Sequence, residues 1–232
     1  MPPDVNTNQP DLDAASDTPS HDAASDDAAS DDAASDTANR AIANEASHVN
    51  DAGNNDAGNN GTSNKVLTDQ DVRAYVDRHQ LDARVFTLDT PTPTVERSAE
   101  VLETQPERII KSLIFMVRDE PHVVIAAGLA RIDEKKLRDA LAVSRKQLRL
   151  AKPTEALEVS GYVIGSMPPF AHRRVLPTLI DTLSIPINTV GTANTAEEDT
   201  YYAGAGLVNA MMALSLKTLL AASHALACPL SR

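Results

Sequence analysis

The order of predicted elements points to an α+β fold, a mixed, mostly antiparallel sheet with flanking helices, carried behind a long polar tail. Three observations predict it. Strand-like and helix-like stretches do not alternate regularly; the order is helix, strand, helix, two strands, helix, strand, several short strands and a final helix. Asp119-Glu-Pro-His122 lies between two apolar runs and signals an antiparallel hairpin with a loop of about three to five residues. No Gly-rich phosphate loop follows a strand and opens a helix, so neither nucleotide-binding fold is supported.

The chain has 232 residues and a formal net charge of −12. Residues 1–64 hold thirteen acidic residues (twelve Asp and Glu45) against Arg40 alone, so they carry the whole excess. Residues 65–232 are balanced at twenty acidic and twenty basic side chains. The low pI is therefore a property of the tail and does not argue against an anionic partner. Asp22-Ala-Ala-Ser-Asp26 recurs twice more through Asp36, and Asp51-Ala-Gly-Asn-Asn55 recurs once. These periods are too short and too polar for a solenoid. The tail has no aromatic residue and few large aliphatic ones, so burial cannot offset its chain entropy. Residues 1–64 read as a disordered acidic low-complexity tail, and residues 65–232 as one domain. Cys228 stands alone, which excludes a disulfide framework, and it reads as an incidental thiol. No Cys/His spacing suggests zinc. There is no secretory signal and no apolar stretch long enough to span a bilayer. The chain reads as cytoplasmic, with no metal and no cofactor.

Order begins near Lys65. Thr68-Asp-Gln-Asp71 has the form of a capping box and opens a helix with Val72, Tyr75 and Val76 inward. Arg84 to Asp89 reads as a strand, and Thr90-Pro-Thr-Pro93 breaks the chain. Thr94 caps a second helix through about Glu103, with Val95, Ala99 and Leu102 on one face. Pro106 suits the first turn of a short helix. Arg108 to Val117 is a buried strand, and His122 to Ala127 is its hairpin partner, ended by Gly128. Asp133 caps a helix through about Leu141. Gln147 to Leu150 is a short strand, and Pro153 to Leu157 a helical turn ended by Gly161. Gly161 to His172 holds Gly165, Pro168 and Pro169 and reads as a rigid irregular loop with backbone groups in fixed directions. Leu176 to Leu183, Pro186 to Val190, Thr200 to Gly206 and Leu207 to Leu214 look strand-like. Ser215 to Ala222 is the closing helix.

Lys111 is the out-of-place residue, inside an otherwise apolar strand. A buried ammonium must find a partner, reach water or lose its charge. It either snorkels from a strand end or lines a pocket that holds an anionic or carbonyl group.

Three stretches, taken together and in order, carry a resemblance. They are Thr94-Val-Glu with Ile110-Lys111-Ser112-Leu113, then Gly165-Ser-Met-Pro-Pro169-Phe-Ala-His172, then Ala205-Gly206 followed by Asn209 and Leu214. They resemble the YbaK/prolyl-tRNA-synthetase-associated domain, an aminoacyl-tRNA deacylase (editing) family, from about Val66 to Leu220. The resemblance implies a barrel-like mixed sheet and hydrolysis, in trans, of the ester that joins a wrong amino acid to the tRNA 3′ adenosine. The substrates it implies are Cys- or Ala-tRNA(Pro) and their like. It implies that Lys111 is the catalytic residue, that Gly165 and Pro169 shape the pocket and contact the carbonyl, and that Gly206 lets the substrate approach. Ser112 and His172 are further substrate-binding candidates. Ala171 departs from the family's usual Gly, and the loss of φ > 0 freedom implies a small shift of the loop.

Ester hydrolysis needs an attacking water, a proton acceptor and charge stabilisation at the carbonyl oxygen. No Ser-His-Asp or Cys-His order is present, and the resemblance implies substrate-assisted attack by way of the ribose 2′-hydroxyl or the substrate's side chain. Between Arg131 and Lys152 eight basic residues face three acidic ones. Arg131, Lys135, Lys136, Arg145 and Lys146 are candidate RNA contacts, and a solvated helix face is the plain alternative. Few aromatic residues are available to read bases, so choice of one tRNA would call for a partner such as prolyl-tRNA synthetase. A non-catalytic relative that binds tRNA or a synthetase is the competing reading.

Overall fold

The computed structural model describes residues 65–187 and 199–232. The expected disorder of residues 1–64 and the end of the Pro186–Val190 stretch lie outside them. Five α-helices among the described residues flank one sheet: α1 (Asp69–Arg78), α2 (Val95–Val101), α3 (Glu134–Leu141), α4 (Pro153–Ser160) and α5 (Leu216–Ser223). The strands are β1 (Ala83–Thr87), β2 (Ile109–Val117), β3 (Glu120–Ala127), β4 (Leu148–Leu150), β5 (Thr178–Asp181), β6 (Thr200–Gly204), β7 (Ala210–Ser215) and β8 (Leu226–Cys228). The sheet runs β1-β7-β6-β2-β3-β5-β8, with β4 also on β2. Four of its seven pairings are antiparallel and hold most of the paired residues. It is a mixed sheet, as expected, but it is not closed into a barrel. β1 and β8 remain as its edges.

Local chemistry explains the helix starts. The Thr68 amide donates to Asp71 Oδ2 at 2.8 Å, half of the expected capping box. Thr94 Oγ1 accepts from the Arg97 amide, and the Asp133 carboxylate accepts from the Lys135 and Lys136 amides. Pro106 opens the 3-10 turn that delivers the chain into β2.

β2 splits the core by its alternation. Ile110 and Ile114 join the main cluster with Val72, Val76, Tyr162 and Phe170. Phe115 and Val117 point the other way, into a smaller cluster with Val124, Leu137, Leu179 and Leu230. Lys111 shares the parity of the second set, and Ser112 that of the first.

Two expectations need correction. The β2–β3 loop has two residues, Arg118 and Asp119, and β3 starts at Glu120 rather than His122. Both turn residues have positive φ, 52° and 64°, as a type I′ hairpin requires. That conformation costs a residue such as arginine roughly 1–2 kcal/mol. Pro121 is tolerated because pairing of β3 with β5 begins only at Val123. The second correction concerns the C-terminus, where α5 does not close the fold. β8 follows it and lies beside β5. The buried Asp181 carboxylate ties this end down, with Oδ1 accepting from the Leu230 amide at 2.7 Å and the Ser231 amide at 3.0 Å. A three-residue strand of Leu, Ala and Cys leaves no periodic signal to read.

Candidate active site

The sheet opens beside Lys111. On one edge of β2, pairing with β6 ends at Ile110 and pairing with β4 begins at Phe115. Of the residues between them, Ser112 and Ile114 turn their backbone groups to this edge, and the Ile114 carbonyl accepts from the Ala151 amide at 2.8 Å. The Gly128 amide donates to Ile109 O, so by the ladder's alternation the amide and carbonyl of Ser112 point into the gap between the two pairings. Ser112 Oγ, on the Ile110–Ile114 face, is also buried without a hydrogen-bond partner. A buried hydroxyl of this kind calls for an explanation, and a ligand is one.

Lys111 itself is half-buried, on the opposite face from Ser112. Its Nζ donates to the Ala130 carbonyl. Burial lowers its pKa first and most; the Glu96 carboxylate pulls it back up, the Arg131 guanidinium lowers it, and Asp181 raises it. The lysine therefore neither escapes to open solvent nor sits in a closed ion pair.

The Gly165–Pro169 loop reaches this end of the sheet, with Ser166 passing over Gly204 while Met167 turns into the main cluster on the Ile110 side. The register Ile109↔Tyr202 and Ile110↔Ala203 places Gly204 level with Lys111. A Cβ on Gly204 would stand 2.8 Å from the carbonyl carbon and oxygen of Ser166. That glycine is what allows the loop to lie on the strand end. Gly165, at φ +86°, faces the Pro93 carbonyl, one residue before the Thr94 cap of α2. Glu96 belongs to the first turn of α2. Lys111, Glu96, Gly165 and Gly204 thus gather at one end of the sheet.

Gly206 has a different neighbour. Its amide donates to Ser166 O at 2.8 Å, and a Cβ there would stand 2.5 Å from the carbonyl carbon of Thr68. The close approach at Gly206 is made by the start of α1. Pro169, at the end of the loop, is buried, and Phe170 packs into the main cluster. Ala171 keeps φ at +65°, so the loop retains the left-handed residue and the alanine bears the strain.

His172 closes the loop from inside. Its Nε2 lies 2.9 Å from the Pro168 carbonyl. Burial lowers its pKa to about 4, although the bond to Pro168 works in the other direction. At pH 7 the ring is neutral, and Nε2, facing an oxygen that can only accept, carries the proton. An unfolded histidine titrates near 6.5. The folded ring binds its proton less readily, so its stabilisation is complete above about pH 6.5 and is lost as pH falls toward about 4. The expected loss is on the order of 3 kcal/mol. Urea midpoints between pH 7.5 and 4 should fall less steeply in His172→Gln; equal slopes would contradict this assignment.

The candidate RNA contacts separate into two groups. Arg131 acts electrostatically on Lys111, so it stands near the site. Lys135 pairs with Asp139 at 2.9 Å, and Lys136 Nζ donates to the Ser231 carbonyl. Arg145 and Lys146 form an exposed 3-10 turn (Arg145–Gln147) before β4. Sequence reasoning quoted Glu96 and Gly204 without giving either a role in the site, and it missed the Asp181 clasp. The alternating Gly204-Ala-Gly206 pair was the one available signal for the second of these.

Comparison with known proteins now decides the family. The family model described as an aminoacyl-tRNA editing domain matches residues 89–213, which span β2, the Gly165–Pro169 loop and Gly206. The chain belongs to the aminoacyl-tRNA editing-domain family. It is 34% identical over 102 residues to the uncharacterized protein YwhH of Bacillus subtilis, covering 44% of this chain and 63% of that protein. It is 38% identical over 76 residues to the proline–tRNA ligase of Halalkalibacterium halodurans, covering 33% of this chain and 13% of that ligase. The chain thus spans less than two thirds of the length of either relative. Its fold is similar to that of a protein proposed as a trans-editing enzyme for prolyl tRNA synthetase, with TM-score 0.60, 24% identity, and coverage of 71% of this chain and 96% of that one. It is likewise similar to the hypothetical protein APE2540, with TM-score 0.59, 23% identity, and coverage of 70% and 99%. No helix among the described residues of this editing-domain protein is long and apolar enough to cross a membrane.

Proposed function

We propose that this editing-domain protein is an aminoacyl-tRNA deacylase that acts in trans on mischarged tRNA of the Cys- or Ala-tRNA(Pro) type. The observation that carries the reading is the setting of Lys111. It is a half-buried lysine at a break in the sheet, level with Gly204, where Ser166 of the Gly165–Pro169 loop crosses the strand end.

The reaction adds water to the ester carbonyl carbon, and the tetrahedral intermediate breaks the bond to the ribose 3′ oxygen. That oxygen leaves with a proton, and the free amino acid departs. In this reading the Lys111 ammonium stabilises negative charge that develops on the carbonyl oxygen, or holds a phosphate next to it. Backbone groups of Gly165 to Pro169 shape the carbonyl site. Ser112 Oγ and the Ser112 backbone supply polar contacts, the latter from the sheet gap. Gly206 acts by holding Ser166, and the neutral His172 acts by holding Pro168. The ribose 2′-hydroxyl takes part in activating the water. Arg131, Lys135, Lys136, Arg145 and Lys146 contact the RNA backbone, and prolyl-tRNA synthetase is the partner that would select the tRNA.

A deacylation panel tests this. The protein is offered tRNA(Pro) charged with Ala, Cys, Ser or Pro, together with Ala-tRNA(Ala) and Thr-tRNA(Thr). Release of Ala or Cys from tRNA(Pro), with Pro-tRNA(Pro) spared, is the expected outcome. A hydrophobic pocket separates one methylene by only about 1–3 kcal/mol, so the contrast with Pro should rest on size and shape. No release from any of them sinks the reading and favours the non-catalytic binder. Residues 1–64 are read as an acidic appendage outside the folded unit, so a variant without them should match the full chain in rate.

A further inference from the structure

The far end of the β2–β3 hairpin carries a feature that the ester chemistry does not use. Met116, Arg118, Asp119, Lys146, Gln147 and Arg149 line a shallow cleft there. Seven residues of extended chain separate Arg118 from Lys111, about 23 Å at the usual strand rise. Three cations reach this cleft from three places: the hairpin turn, the Arg145–Gln147 turn and β4. Asp119 is the one acidic side chain in its lining. Arg149 is held by a two-pronged pair with Glu155, at 2.7 and 2.9 Å. Arg118 gives one N–H to the Ala142 carbonyl at 3.1 Å, and its other donors are not used in that bond. Lys146 is exposed.

Arg118 also has a positive φ, one of seven non-glycine residues among those described that do. It occupies the first position of a type I′ turn at φ 52°, where Asn or Gly is favoured. The hairpin does not need an arginine there and would be more stable without one.

We propose that Arg118 joins Lys146 in this cleft as an RNA-contact site, which takes backbone phosphates of the tRNA acceptor stem while the aminoacylated 3′ end lies at Lys111. The inference rests on the deacylase reading for its choice of ligand. Guanidinium forks and a lysine point charge suit phosphate oxygens, and the separation from Lys111 is one that a short unpaired RNA end bridges. The cleft reads no base, so it adds affinity without sequence preference.

The test uses the full chain and uncharged tRNA, with binding measured across a salt series. Arg118→Asn should raise the melting temperature, because the turn relaxes, while weakening tRNA binding several-fold. The log–log salt slope should fall by about one. Arg118→Asn combined with Lys146→Ala should weaken binding by about tenfold and lower the slope by about two. Variants that bind tRNA as the wild type does, with the same slope, would overturn the cleft. The two readings fail separately: hydrolysis with unchanged variant binding removes the cleft alone, and cleft-dependent binding with no hydrolysis of any aminoacyl-tRNA removes the deacylase alone.

Discussion

Lys111→Met is expected to lower aminoacyl ester hydrolysis by about 100- to 1000-fold, the usual cost of losing one group aimed at developing negative charge. The same substitution should not destabilise the fold. Burial lowers the pKa of Lys111 more than Glu96 and Asp181 restore it, so the folded state is a poorer place for the ammonium than water is. A folded pKa below the unfolded one means the charge costs stability at neutral pH, a cost relieved only as pH rises toward the lysine's ordinary value. Methionine has similar length and no charge, and it can pack beside Leu113 on the same face of β2. Its one loss is the bond to the Ala130 carbonyl. Hydrolysis rates, tRNA binding and a thermal melt on the same variant decide the matter. A variant that stays active refutes the role, and one that loses both activity and fold shows Lys111 to be structural.

Gly206→Ala is expected to have the largest effect on stability. The residue sits at φ +94°, and its Cβ would fall 2.5 Å from the Thr68 carbonyl carbon, 2.6 Å from its oxygen and 2.8 Å from the Asp69 amide nitrogen. Left-handed strain costs about 1–2 kcal/mol, and forcing atoms into packed backbone costs about 1–3 kcal/mol more. A total near 3 kcal/mol should lower the melting temperature by roughly 6–12 °C in a domain of this size. The neighbours are backbone, so rotamer changes cannot relieve the clash. The start of α1 must move, and with it the fully buried Val72. The Gly206 amide also holds Ser166, so activity should fall at temperatures where the variant is still folded. A melt within 2 °C of the wild type would contradict this account.

Much of the site was legible in the sequence because its chemistry is local. A lysine inside a β-branched run is conspicuous at any resolution of argument. Two glycines and two prolines in Gly161 to His172 announce a loop that neither helix nor sheet can absorb. The caps at Thr68, Thr94 and Asp133 lie within one turn of the helices they start. What was not legible depends on register. The two-residue hairpin at Arg118–Asp119 was hidden because neither residue is the Gly or Asn that turn prefers. Strand β8 was hidden because Leu226 to Cys228 is extended only through pairing with β5. The role of His172 could not be read either, because burial beside Pro168, and not its place after the loop, sets its proton affinity.

The sequence by itself determined the tail's charge, the helix starts, the rigid loop and the lysine whose solvation had to be explained. Each follows from side-chain chemistry acting over a few residues. Only the tertiary structure decided that β6 leaves β2 at Ile110 and β4 joins it at Phe115. It also decided that Gly204 stands level with Lys111 and admits the Gly165–Pro169 loop. Those facts belong to the pairing of residues 35 (Phe115 with Leu150) to 93 (Ile110 with Ala203) positions apart, where the free energy of one register against another is spread over the whole sheet.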